Sequence, residues 1–249
     1  MIPARLFSRR RFSRVIAVLM SLVSACLVGS VPSHAGAQAL TTSTDTMAQR
    51  TMACTACHGK EGRATRDGYF PRIAGKPAGY LYNQLLNFRD GHRRYPQMTY
   101  MVSNLSEAYL KEMAEYFASL DLPYPPAQPA AASTEMLARG RRLALDGDPA
   151  RKIPACTACH AAQLTGMLPT IPGLLGLPRD YLNAQFGAWR SGMRHAAEPD
   201  CMADISRKLS PEDISAVSAW LSAQPVPQDM KARPPGSKKL PIRCGSFAQ

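Results

Sequence analysis

Residues 54–58 are Cys-Thr-Ala-Cys-His, and residues 156–160 repeat the same five residues in the same order. Cys-x-x-Cys-His is the attachment sequence of c-type haem. Its two thiols can bond the two vinyl groups of one porphyrin, and the imidazole that follows is placed to ligate the iron. The two copies therefore predict two covalently bound haem c groups. The predicted residues are Cys54, Cys57, Cys156 and Cys159 for the thioether bonds and His58 and His160 for the irons.

Two other kinds of site use closely spaced cysteines, a redox dithiol and a zinc site. A redox Cys-x-x-Cys motif normally lies in a strand–helix unit and does not require the histidine, and neither copy has strand-like flanks. A zinc site needs a second cysteine pair or a His-x-His pair within each segment, and the sequence offers neither at a suitable spacing. Haem is therefore the favoured interpretation.

The N-terminus has the pattern of an export signal. Five arginines precede an apolar run at residues 15–28, which is short for a bilayer span. Small residues follow at Ser33-His34-Ala35, so we expect residues 1–35 to be removed in the bacterial periplasm, leaving a soluble or loosely membrane-associated protein. Lipidation of Cys26 is an alternative. A twin-arginine-like pattern at residues 8–12 is discounted, because that route exports folded proteins and haem c is attached after export.

Removing the leader lowers the formal net charge from +12 to +7. The basic residues show no patch with interleaved aromatic side chains, so the sequence does not indicate nucleic-acid binding. Such a charge favours docking on an acidic protein surface or near anionic lipid.

The residues after each haem motif repeat at a spacing of about 100 positions. Residues 80–93 and 181–194 share a Tyr-Leu pair, a glutamine, an aromatic residue before arginine, a glycine and a last arginine. Each copy closes with a helix that begins at a serine cap, Ser106 or Ser210. The repeat therefore predicts two tandem helical domains.

A proline-rich stretch separates the two copies, and proline removes backbone donors and resists helix formation. We expect leading helices at residues 45–54 and 134–145. The predicted segments are a leader at 1–35, a first domain at 41–120, a linker at 121–133, a second domain at 134–224 and a basic tail at 225–249.

Each haem iron needs a second axial ligand or stays open for chemistry. The candidates between each haem motif and its closing helix are His92, Met98, Met101, Met193, His195 and Met202. Met98 and Met202 hold equivalent positions, each seven residues before a Leu-Ser pair, and each is predicted to lie in a loop that can reach the haem. We therefore predict that these two methionines are the second iron ligands.

Two prolines are candidates for orienting the histidines. Pro71 and Pro169 each follow a haem motif in a loop. We expect their carbonyl oxygens to accept a hydrogen bond from Nδ1 of His58 and His160, which would fix each ring. A turn proline without this role is the alternative.

The doubled motif, the Phe-Pro-Arg-Ile-Ala-Gly segment at residues 70–75, the pattern at 80–93 and the methionine before Leu-Ser resemble the diheme cytochrome c4 family over roughly residues 41–224. The resemblance implies an all-α protein of two class I cytochrome c domains, each wrapped around one covalently attached haem. It also implies His/Met ligation at both irons and electron transport without enzyme activity. That family carries electrons between a quinol-oxidising complex and terminal oxidases.

The chain departs from the family pattern in its basic tail and in two further cysteines. Cys201 and Cys244 remain once haem attachment and leader removal account for the other five. Because cysteines in an oxidising compartment are more often paired than free, we predict a Cys201–Cys244 disulfide that ties the tail beside Met202.

These features predict a periplasmic diheme electron carrier between a quinol-oxidising complex and a terminal oxidase or reductase. One alternative is the electron-accepting subunit of a periplasmic dehydrogenase, with the tail as a docking segment. Another is a haem enzyme, such as a diheme peroxidase or a thiosulfate-oxidising cytochrome, which needs an open iron or a cysteine ligand such as Cys201. In each case the expected partners are redox proteins.

Overall fold

The computed structural model describes residues 45–65, 67–127, 129, 131–236 and 239–247. The predicted leader, with its cleavage site and Cys26, lies outside these residues. Within the described ranges, every helix is too short or too polar to cross a membrane.

The described part of the first half contains five α-helices. They are α1 (Met47–Arg50), α2 (Met52–His58), α3 (Ala78–Arg89), α4 (Pro96–Val102) and α5 (Glu107–Ser119). Thr46 begins α1 with a capping box, and Ser106 caps α5 as predicted. The single leading helix expected at 45–54 is wrong in its bounds. The chain breaks at Thr51, where a second helix starts and continues through the haem motif to His58.

The described part of the second half contains four α-helices and one small hairpin. They are α6 (Thr134–Leu145), α7 (Arg179–Arg190), α8 (Cys201–Lys208) and α9 (Pro211–Ser222), with antiparallel strands β1 (Gly166–Met167) and β2 (Ile171–Pro172). The leading helix expected at 134–145 is confirmed, and Ser210 caps α9 as predicted. The second haem motif differs from the first, because Cys156–Ala158 form a 3-10 turn outside any α-helix.

The core of the second half forms where α6 crosses α9. Gly140 lies at the crossing, and a Cβ atom there would stand 2.1 Å from the carbonyl oxygen of Ala216. The absence of a side chain thus lets the two helices approach closely. Leu143, Val217 and Leu221 belong to the buried apolar cluster of this half. Helix α5 buries an apolar face in the first half, through Leu110, Met113 and Phe117.

Residues 121–127, which follow α5, form neither helix nor strand. Arg72 holds them in place. Its guanidinium donates to the carbonyls of Leu122 and Pro123, at 2.5 and 3.0 Å. It also lies 3.8 Å from the centre of the Tyr124 ring. The start of the predicted linker is therefore packed against the first half. The linker boundaries stay a prediction.

The C-terminal tail folds back on the second half. The backbone nitrogen of Arg233 donates to Gly166, and its carbonyl accepts from Leu168. Phe247 is buried, and a disulfide joins Cys201, the first residue of α8, to Cys244. The tail is therefore a packed part of the second half.

The Gly140 crossing can be tested with two glycine variants. Gly140→Ala should destabilise the haem-loaded protein by about 2 kcal/mol, because the new methyl group would overlap the Ala216 carbonyl. Gly187→Ala is the matched control. Gly187 lies in α7, and a Cβ atom added there would have no neighbour within 4 Å, so this variant should be slightly more stable than the parent. Denaturant unfolding measures both. Equal stability of the two variants would contradict this packing.

Candidate functional site

Both haem motifs open into one continuous cavity of about 770 Å³. Its wall includes all of the predicted cysteine, histidine and methionine ligands: Cys54, Cys57, His58, Met98, Cys156, Cys159, His160 and Met202. Residues that lie far apart in the sequence thus face one mostly apolar space.

The histidines of both motifs are buried, and Pro71 orients the one in the first half. Nδ1 of His58 is 2.8 Å from the Pro71 carbonyl oxygen. Because that carbonyl can only accept, Nδ1 carries the proton and Nε2 keeps a lone pair for a metal. Burial lowers the pKa of His58 and of His160, which favours the neutral imidazole that an iron ligand must be.

The corresponding acceptor in the second half is Pro172, and the prediction of Pro169 is wrong. The Pro172 carbonyl oxygen is 2.7 Å from Nδ1 of His160. Pairing of β1 with β2 places Pro172 there, since Gly166 pairs with Pro172 and donates its N–H to the His160 carbonyl. The Pro169 carbonyl instead lies against Gly79 of α3.

The sequence contained the signal for this assignment. Tyr80 and Tyr181, which the repeat aligns, are 101 positions apart. Applying the same spacing to Pro71 gives Pro172, whereas Pro169 is 98 positions away.

Met98 and Met202 both lie on helices, so the prediction that they lie in loops is wrong. Met98 is in the first turn of α4 and Met202 in the first turn of α8. Both side chains are half-buried and pack against the apolar cluster of their own half. Met101 and Met193 are more exposed, at 41% and 43%. Iron ligation by Met98 and Met202 stays a prediction.

The two halves exchange hydrogen bonds through a pair of arginines that the repeat places at equivalent positions. Arg93 donates to Gln84 of its own half and to Gln185 of the other. Arg194 donates to Gln185 of its own half, at 2.7 Å, and to Gln84 of the other, at 2.9 Å. The sequence marked these residues as repeated but did not reveal that they meet.

Three cations of the cavity wall are buried without an acid. Arg72, Lys76 and Arg194 are between 3% and 5% exposed. Among the described residues, no carboxylate forms an ion pair with any of the three. A buried charge needs a counter-charge, and haem carries two propionate carboxylates. The cavity therefore fits haem in its apolar lining, its candidate ligands and its positive charge.

Comparison with known proteins agrees with this geometry. No family model matches the chain. A thiosulfate dehydrogenase electron acceptor from Thiomonas intermedia is 37% identical, over 70% of this chain and 79% of that protein. A crystal structure of cytochrome c4 from Pseudomonas stutzeri is 30% identical, with a TM-score of 0.62 over 71% of this chain and 96% of that one.

A longer relative has the same fold in one part of its chain. A thiosulfate dehydrogenase structure from Marichromatium purpuratum is 31% identical, with a TM-score of 0.63 over 69% of this chain. This chain spans only 36% of that longer protein. The two haem c groups, the helical fold and these three similarities together place this chain in the family of diheme c-type cytochromes that includes cytochrome c4 and the thiosulfate dehydrogenase electron acceptors.

Proposed function

We propose that this diheme electron carrier is the electron acceptor of a periplasmic dehydrogenase of the thiosulfate dehydrogenase type. The observation that carries the proposal is the similarity to a thiosulfate dehydrogenase electron acceptor over most of that protein. It favours the dehydrogenase-subunit alternative over a role between a quinol-oxidising complex and a terminal oxidase.

The proposed ligand set is the one that the sequence predicts. Cys54 and Cys57 would hold one haem, and Cys156 and Cys159 would hold the other. His58 with Met98, and His160 with Met202, would ligate the two irons. Haem c supplies a one-electron Fe(III)/Fe(II) couple when bound.

The residues around the cavity suit electron exchange. The Pro71 and Pro172 carbonyls fix the histidine rings, so little rearrangement is needed when the charge on the iron changes. Thioether ligation by Met98 and Met202 would favour the ferrous state and raise the reduction potential. With a histidine and a methionine bound, neither iron would have a free position for substrate.

The disulfide supports a carrier in an oxidising compartment. Cys201 is bonded to Cys244, so its sulfur does not act as the thiolate ligand on which the haem-enzyme alternative depends. A disulfide also suits the periplasm, to which the export signal would direct the chain. Periplasmic location is accordingly part of the proposal.

Methionine ligation can be tested one site at a time. Oxidised protein should show a weak sulfur-to-iron absorption band at the red edge of the spectrum. Met98→Leu and Met202→Leu should each remove about half of that band, because each removes one thioether ligand. The controls Met101→Leu and Met193→Leu change exposed methionines and should leave it intact. A full band in both ligand variants would refute the assignment.

The partner can be tested by mixing purified proteins. Adding thiosulfate and a catalytic amount of thiosulfate dehydrogenase should reduce both haems at a rate that saturates with cytochrome concentration. A purified quinol-oxidising complex with its quinol is the comparison donor. Faster reduction by the quinol-oxidising complex would reject the proposal in favour of the respiratory-chain role.

A further inference from the structure

Lys76 belongs to the first half, but its side chain ends in the second. It follows Gly75, whose φ of +73° turns the chain just before α3. Its Nζ donates to the carbonyl oxygen of Gly173 at 3.0 Å, and the residue is only 4% exposed. Gly173 directly follows Pro172, whose carbonyl accepts the hydrogen bond from His160. Two adjacent carbonyls thus hold the proximal histidine and the lysine.

The ammonium group of Lys76 has no acidic partner in the described part of the chain. Burial, and then the charge of Arg72, lowers the pKa of Lys76 to about 7. The positive charge of Lys76 in turn contributes to lowering the pKa of His160, after the larger effect of burial. Because the carbonyls that bind Lys76 and His160 belong to the adjacent residues Gly173 and Pro172, the lysine lies near the histidine of the second haem motif.

The residue of the second half that is equivalent to Lys76 carries no charge. The spacing of 101 that relates Tyr80 to Tyr181 relates Lys76 to Leu177. Leu177 also follows a glycine of positive φ, Gly176 at +69°, and it packs in the apolar cluster of the second half. The arginines Arg93 and Arg194, in contrast, are shared by both halves. Lys76 therefore breaks the approximate symmetry of the two sites.

We propose that Lys76 positions the proximal side of the second haem site and raises the reduction potential of the iron held by His160. The hydrogen bond to Gly173 anchors the segment that carries the Pro172 carbonyl. The buried positive charge disfavours the additional positive charge of ferric iron, so it favours the ferrous state. The first half in this way sets a property of the second haem.

The size of the effect follows from Coulomb's law. In an effective dielectric of about 20, a unit charge on the order of 10 Å from a redox centre changes its reduction equilibrium roughly tenfold. For a one-electron couple, tenfold corresponds to about 59 mV.

The test is potentiometry of the haem-loaded protein at pH 6, where Lys76 is protonated. Lys76→Gln removes the charge and keeps a donor, and Lys76→Met removes both. In both variants the reduction equilibrium of the His160 haem should shift roughly tenfold toward the ferric state, which lowers its potential. The potential of the His58 haem should stay nearly unchanged. Paramagnetically shifted haem-methyl NMR signals distinguish the two haems. Both variants should fold, because the equivalent turn already accepts Leu177.

Lys111→Gln is the matched control, because it removes the same charge from an exposed position on α5. It should shift neither potential, whereas Lys76→Arg, which keeps the charge, should retain the potential of the parent protein. An unchanged His160 haem in Lys76→Gln, or a shift confined to the His58 haem, would overturn the proposal. The inference requires His160 to ligate an iron but does not depend on the electron donor, so failure of the thiosulfate experiment would leave this measurement valid.

Discussion

A buried imidazole can hold iron through Nε2 only if its Nδ1 proton has an acceptor. Both haem motifs meet this constraint with a proline carbonyl, Pro71 for His58 and Pro172 for His160. Proline suits the role because its fixed φ limits the movement of the segment that carries the carbonyl. In the second half the β1–β2 hairpin places the carbonyl, and in the first half the N–H groups of Ile73 and Ala74, shortly after Pro71, donate to the Gly62 carbonyl.

The second requirement is that the two halves keep a fixed separation and orientation. Electron exchange between two haems depends on their separation and orientation, which flexible domains would not maintain. The reciprocal bonds of Arg93 and Arg194 to Gln84 and Gln185 meet this need without any acid, since each glutamine oxygen accepts from both arginines. Haem propionates would complete the charge balance of this interface.

The two halves are related by the sequence repeat, but some of their contacts do not follow it. The shared arginines bond to both halves alike, whereas the Lys76 ammonium group and the disulfide-linked tail each contact the second half. The tail packs on the second half, and the described residues of the first half include no corresponding segment. A carrier that receives electrons from one partner and passes them to another benefits from two unequal haems, because unequal potentials give the transfer a direction.

The chemistry of the protein was determined by local sequence. Cys-x-x-Cys-His needs only five residues in order, and its duplication fixed the number of haems. The serine caps Ser106 and Ser210 likewise located the starts of α5 and α9, because a helix cap acts within one turn.

The tertiary structure decided what depends on distant residues. Strand pairing brings the Pro172 carbonyl to His160, although the repeat spacing already pointed to that proline. Arg93 reaches Gln185, and Lys76 reaches Gly173, only after the halves have come together. No local pattern specifies such contacts, because they are set by the three-dimensional arrangement of segments about 100 residues apart.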